Sequence, residues 1–178
     1  LDQIAANYGV ERLVLDEGNP DAIPPVPPTL ESDDDLRVRV QLSPEGYTSA
    51  GSRGSYVFHA RGADAQVADA QAVSPSPGVV TVYILSREGN GAASIDLTDK
   101  VQAALSADEV RPMTDQVTVQ SAAITEYSVT ASLTVYPGPD SELIRASSIK
   151  AVEDYVERQR GIGYDVTLSG LYAALHQP

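Results

Sequence analysis

The sequence has no cysteine and no tryptophan, and only one phenylalanine and one methionine. Without thiols there is neither a disulfide framework nor a thiolate metal site, and the redox compartment cannot be read. Aromatic residues make up 6% of the chain, nine of them tyrosine, so the core must be aliphatic, built on Val, Leu, Ile and Ala. Lysine is scarce too: Lys100 and Lys150 stand alone and the other cations are Arg. Arg suits planar, bidentate pairing at protein contacts, and a high-GC genome produces the same bias. No apolar run approaches the roughly 18 residues needed to cross a bilayer. The start lacks a basic segment followed by an apolar one, so no signal peptide is read.

What is present is acid. Twelve basic against twenty-five acidic residues give a formal charge of -13, which disfavours nucleic acid and anionic membrane as partners, because both present dense arrays of phosphate. The length of 178 residues fits one domain or two small ones. Apolar residues, at 42%, are spread along the chain, so burial can offset the entropy of folding and general disorder is excluded. The chain opens at Leu1 inside a helical pattern and stops at Pro178 straight after another, the look of a fragment cut from a longer protein.

Hydrophobic spacing places the elements. Leu1, Ile4, Ala5, Tyr8, Arg12 and Leu15 recur at three and four, predicting a helix over residues 1–15 with Gly9 as its weak point. Residues 16–29 hold Pro20, Pro24, Pro25, Pro27 and Pro28 and read as an extended, semi-rigid spacer. Residues 31–42 form a second helix, with Ser32 as N-cap and Asp33, Asp34 and Asp35 in the first turn, where the helix dipole favours negative charge. A third helix runs from Gly51 to Arg61 with Gly62 as its stop. From Gln66 the period changes to two: a strand to Val73, a turn over residues 74–78, and a buried strand from Val79 to Leu85. Ile95, Leu97, Val101, Ala104 and Leu105 trace one face of the next helix. Val117 and Val119, then Val129, Ala131, Leu133 and Val135, alternate with polar residues and predict a half-buried strand pair. Residues 136–140 end that pair and cap the longest helix, 142–160, whose Ile149, Val152 and Val156 share a face. A last helix opens at Thr167 or Ser169, with Leu168, Leu171, Tyr172 and Leu175 on one side.

No reactive constellation emerges. His59 and His176 are the only imidazoles, and although Ser55 and His59 lie four apart on a helix, no acid is spaced to orient the ring. The triplet Asp33–Asp35 supplies charge, but successive helical residues point in different directions, so it reads as dipole pairing rather than a cation site. The loop from Asp16 to Asp21 is a slightly better metal candidate. The glycines at 51–54 and 89–91 lack both the Lys-Ser/Thr of a phosphate loop and the spacing of a dinucleotide fingerprint. No catalytic, cofactor-binding or metal residue is therefore assigned, and no cofactor is expected.

Several stretches are similar to a known family. Pro44-Glu-Gly-Tyr-Thr-Ser-Ala-Gly51 with Tyr56-Val-Phe-His-Ala60 resembles a glycine-flanked helix of the baseplate J family of contractile-tailed phages, especially its P2-like branch. Ser74-Pro-Ser-Pro-Gly78 before Val82-Tyr-Ile-Leu-Ser-Arg-Glu-Gly89 resembles its central strand and loop. Val110-Arg-Pro-Met-Thr-Asp115 before Val117-Thr-Val119 resembles the start of its C-terminal part. Tyr136-Pro-Gly-Pro139 and Asp165-Val-Thr-Leu-Ser-Gly-Leu-Tyr-Ala-Ala-Leu-His176 complete the series in the family's order, from about residue 30 onward. The resemblance implies a non-enzymatic wedge subunit of a phage or prophage tail. Such a subunit is located in the virion tail baseplate, is assembled in the bacterial host cytoplasm, packs with other baseplate and tail proteins in a six-fold ring, and rearranges when the tail meets its host.

The expected fold is α+β: a helical first half carrying a β-hairpin, then a small, mainly antiparallel sheet packed against the 142–160 helix. The expected organisation is a helix and proline-rich connector over 1–30, a central helical and hairpin domain over 31–111, and a C-terminal α+β domain over 112–178. Function is expected in surfaces, with the helix faces at Ser52–Arg61 and Leu168–Leu175 as contact candidates. The alternatives are a tail-associated glycan hydrolase, which requires two facing carboxylates of raised pKa, and a glycan-binding module, which requires an exposed Tyr-rich concave face.

Overall fold

The computed structural model describes residues 1–47, 51–134 and 141–176. Its elements are α1 (Asp2–Asn7), β1 (Val14–Asp16), β2 (Thr29–Leu30), α2 (Asp33–Gly46), α3 (Arg53–Ala63), β3 (Val67–Ser76), β4 (Val79–Ser86), α4 (Ile95–Leu105), β5 (Gln116–Ser121), α5 (Ser141–Arg158) and α6 (Leu168–Leu175). The class is α+β, with the β-hairpin in a helical first half as expected. The chain divides into two compact units, Leu1–Ile124 and Thr125–Pro178.

The core of the first unit lies on the sheet β3-β4-β5. The hairpin turns at Pro77-Gly78, where Gly78 has φ 75, and β4 pairs antiparallel with β3. On its other side β4 pairs in parallel with β5, Val80 opposite Val117 and Val82 opposite Val119. Parallel strands need a crossover connection, and α4 supplies it. Ser94 caps α4 by accepting a hydrogen bond from the Leu97 N–H at 3.2 Å. Leu97, Val101 and Leu105, at spacings of four, then bury against Val80, Val82 and Ile84 together with Tyr56 and Ala60 of α3. Gln102 of α4 closes the outer edge of β5: its Nε2 donates to the Val117 carbonyl at 3.1 Å and its Oε1 accepts the Val119 N–H at 2.8 Å. This corrects the predicted strand pair. The strand at 117–119 takes β4 as its neighbour, residues 129–134 form no strand, and Val135 lies outside the described residues. Alternation identifies a face but not a partner.

The first helix stops short of prediction. It ends at Asn7 because Gly9, at φ 67, takes the left-handed conformation, with Gly9 N–H bonding to Ala6 O and Val10 N–H to Ala5 O. This is a Schellman cap, and its apolar contact is present too: Ala5 and Val10 bury with Leu36. Leu15 therefore lies in β1 instead of a helix. The proline segment is not a linear spacer. Asp16 pairs with Thr29 and Asn19 with Val26, so the chain doubles back and its prolines lie in the excursion, outside any central strand.

Ser32 caps α2 as predicted, its Oγ accepting the Asp35 N–H at 3.1 Å. The helix runs on through Pro44 to Gly46, and α3 continues past Gly62 to Ala63, because a single glycine in a packed helix costs less than the packing returns. Gly46 is needed where it stands, since a β-carbon there would overlap the Phe58 ring of α3.

In the second unit, Thr167 caps α6 by accepting the Gly170 N–H at 3.1 Å. The Tyr155 hydroxyl accepts the Thr167 N–H at 3.1 Å, tying α5 to α6. Val152 and Val156 are half-buried, whereas Ile149 is 46% exposed and departs from the predicted buried face. The predicted cap at 136–140 lies outside the described residues.

Candidate assembly surfaces

The residues considered for chemistry are dispersed or structurally engaged. The His59 ring packs edge-on against Phe58 at 5.3 Å and makes no hydrogen bond among the described residues; burial pushes its pKa down. His176 is exposed beyond α6, its N–H bonded to the Tyr172 carbonyl. Asp33 pairs with Arg12 at 2.6 Å, Asp34 with Arg37, and Asp35 with Arg87 at 3.0 Å. In the proline loop, Asp16 accepts the Gly18 N–H and Asn19 the Asp21 N–H, both local turn contacts. Among the described residues no three His, Asp or Glu side chains are grouped to hold a metal ion.

Two carboxylates are pushed down in pKa, the wrong direction for a general acid. Hydrogen bonding from the Arg12 guanidinium holds Asp2 at about 2. At Asp64, burial opposes ionisation, but the Gln66 N–H and the Lys100 ammonium outweigh it and the net shift is downward. Tyr56, 2% exposed, is pushed up by burial and by its bond to the Asp115 carboxylate at 2.8 Å. That bond clamps α3 to the start of β5.

Ion pairs join elements distant in sequence. Asp35 faces Arg61 and Arg87, and Arg61 reaches Asp69 at 2.8 Å, so α2, α3, β3 and the segment after β4 share one partly buried network. A second, buried pair joins Arg39 to Glu31 at 2.6 Å, with Arg39 also donating to the Glu11 carbonyl. Sequence inspection missed both networks, because their partners lie 8 to 52 residues apart.

The two predicted contact faces have different fates. The Ser52–Arg61 face is core: Ser55, Tyr56 and Ala60 of α3 are buried against the sheet and its neighbouring helices. The Leu168–Leu175 face stays open, with Leu168 73% and Tyr172 69% exposed and no residue of α6 buried. Beside it runs an open groove of about 400 Å³ between α5 and α6, lined by small side chains with Tyr155, Asp154 and Arg158. In the first unit, Ile23 on the proline loop and Met113 before β5 are fully exposed.

Residues 48–121 match the family model of the Baseplate J-like central domain. Over 176 residues, 99% of its length, the chain is 51% identical to "Baseplate protein J" of Escherichia phage P2, and it spans 58% of that protein. The matched segment takes in α3, the β3-β4 hairpin, the α4 crossover and β5, which together build the sheet and its helical cover. The region folded around the Tyr56–Asp115 clamp thus matches a baseplate J-like central domain, set in a chain that is similar along nearly its whole length to a phage baseplate protein.

Proposed function

We propose that this chain is a structural, non-enzymatic component of a contractile-tail baseplate that acts by packing against other baseplate and tail proteins. The observation that carries the reading is the 51% identity, sustained over 176 residues, with the P2 baseplate protein. The finer parts of the reading are a wedge position in a six-fold ring, location in the virion tail, assembly in the host cytoplasm, and rearrangement on host contact.

The chemistry of the chain supports this. Its excess of acid is suited to partners carrying Arg and Lys, while the network of Asp35, Arg61, Asp69 and Arg87 braces its own elements. Fully exposed apolar side chains such as Ile23 and Met113 supply anchors of the kind that seat in a partner's pocket. The test is to express the natural protein with the other tail proteins of its phage and purify it by a tag. Co-purification of a baseplate complex is expected. Cleavage of a glycan by the purified protein alone would overturn the reading.

A further inference from the structure

The second unit contains a segment patterned like a strand but without a sheet, and helices with no buried apolar residue among those described. Residues 125–134 are all exposed, run without helix, turn or bend, and pair with no strand among the described residues. No backbone hydrogen bond is seen from residues 123–134 among those described. Yet Val129, Ala131 and Leu133 alternate with Thr130, Ser132 and Thr134, and no charge falls between Tyr127 and Thr134, the pattern of a strand with one face covered. In α5 and α6 the one fully buried residue described is Ser148, while Leu143 is 71% and Leu168 73% exposed. A unit of this size with no buried apolar residue among those described does not offset its own conformational entropy.

We propose that this unit is completed by further chain of the same polypeptide, which lays a strand alongside 127–134 and covers the apolar faces of α5 and α6. Two observations select this occupant over a separate protein. The match covers 58% of the P2 relative, so that protein carries further chain outside the matched part. A unit lacking a core also needs its cover when it folds, and a covalently attached segment is present then at high effective concentration. The sheet of the first unit is a poor host for the strand: Gln102 occupies the outer edge of β5, while on β3 Asp69 accepts the Ala70 N–H and Pro75 offers no N–H at all. The proposal is independent of the assembly reading, since it concerns one polypeptide purified alone.

Hydrogen exchange decides it. Amides 127–134 should exchange at nearly unprotected rates in the 178-residue chain and at least about a hundredfold more slowly in the natural polypeptide. Ala131→Pro in that polypeptide should abolish the protection there and leave β3, β4 and β5 protected. Four results would each overturn the proposal: fast exchange of 127–134 in the natural polypeptide, protection in the short chain that grows with its concentration, protection that appears only when another tail protein is added, or a natural polypeptide of just these 178 residues. Co-purification with tail proteins can succeed or fail whatever the exchange shows.

Discussion

Arg39→Met is the most informative single change. The Glu31 side chain is completely inaccessible to solvent and that of Arg39 is 10% exposed. Replacing the guanidinium strands a carboxylate whose remaining described side-chain contact is the Leu13 N–H at 3.2 Å. Breaking a buried pair from one side typically costs about 3–5 kcal/mol. Here Glu31 Oε2 and Arg39 Nε have no hydrogen-bond partner among the described residues, so the pair is incompletely satisfied and the lower end, about 3 kcal/mol, is expected. That is a large part of a total stability of about 5–15 kcal/mol, and at about 2–4 °C per kcal/mol it lowers Tm by roughly 6–12 °C. The double variant Glu31→Leu with Arg39→Met removes both charges and should recover most of the loss, since a buried pair and an apolar replacement are often close in energy. Urea unfolding followed by circular dichroism measures all four corners of the cycle. A single variant losing less than about 1 kcal/mol, or a double variant as unstable as the single, would refute the reasoning.

The remaining expectations are more local. Gly46→Ala should destabilise by about 1–3 kcal/mol through overpacking on Phe58, despite the better helix propensity of Ala, and a raised melting temperature would count against that close approach. Tyr56→Phe removes the hydroxyl from Asp115 and should cost about 1.5–3 kcal/mol in thermal or urea melts, the range for a bond to a charged group. The Arg12 guanidinium holds the Asp2 carboxyl at a pKa of about 2, below the ordinary value of 3.8. Its contribution is therefore present above about 4 and is lost as pH falls through about 2; NMR titration should show its midpoint move back toward the ordinary value in Arg12→Gln. Val152→Asp should loosen α5 from α6, seen as loss of the Tyr155–Thr167 contact by NMR, while the first unit keeps its melting midpoint, because Val152 is half-buried and its charge retains some water.

Local signals were legible wherever one segment settles its own backbone. Ser32 could be read as a cap, and Thr167 as one of two candidates with Ser169, because the residue that follows three places on supplies the N–H, and the α4 face could be read because Leu97, Val101 and Leu105 repeat on one stripe. Composition alone established an aliphatic core and a strongly anionic surface. The literal order of turn and strand segments pointed to the baseplate J family. Pairing was not legible in this way. That β5 joins β4 in parallel, that the proline segment doubles back, that the Ser52–Arg61 face is buried, and that Arg39 meets Glu31 all depend on groups brought together from separate stretches. Alternation tells a strand which side to bury but carries no label for its neighbour, and an Arg has no sequence mark for the carboxylate it will meet. Those choices belong to the tertiary structure because their energies exist only once the partners share one space.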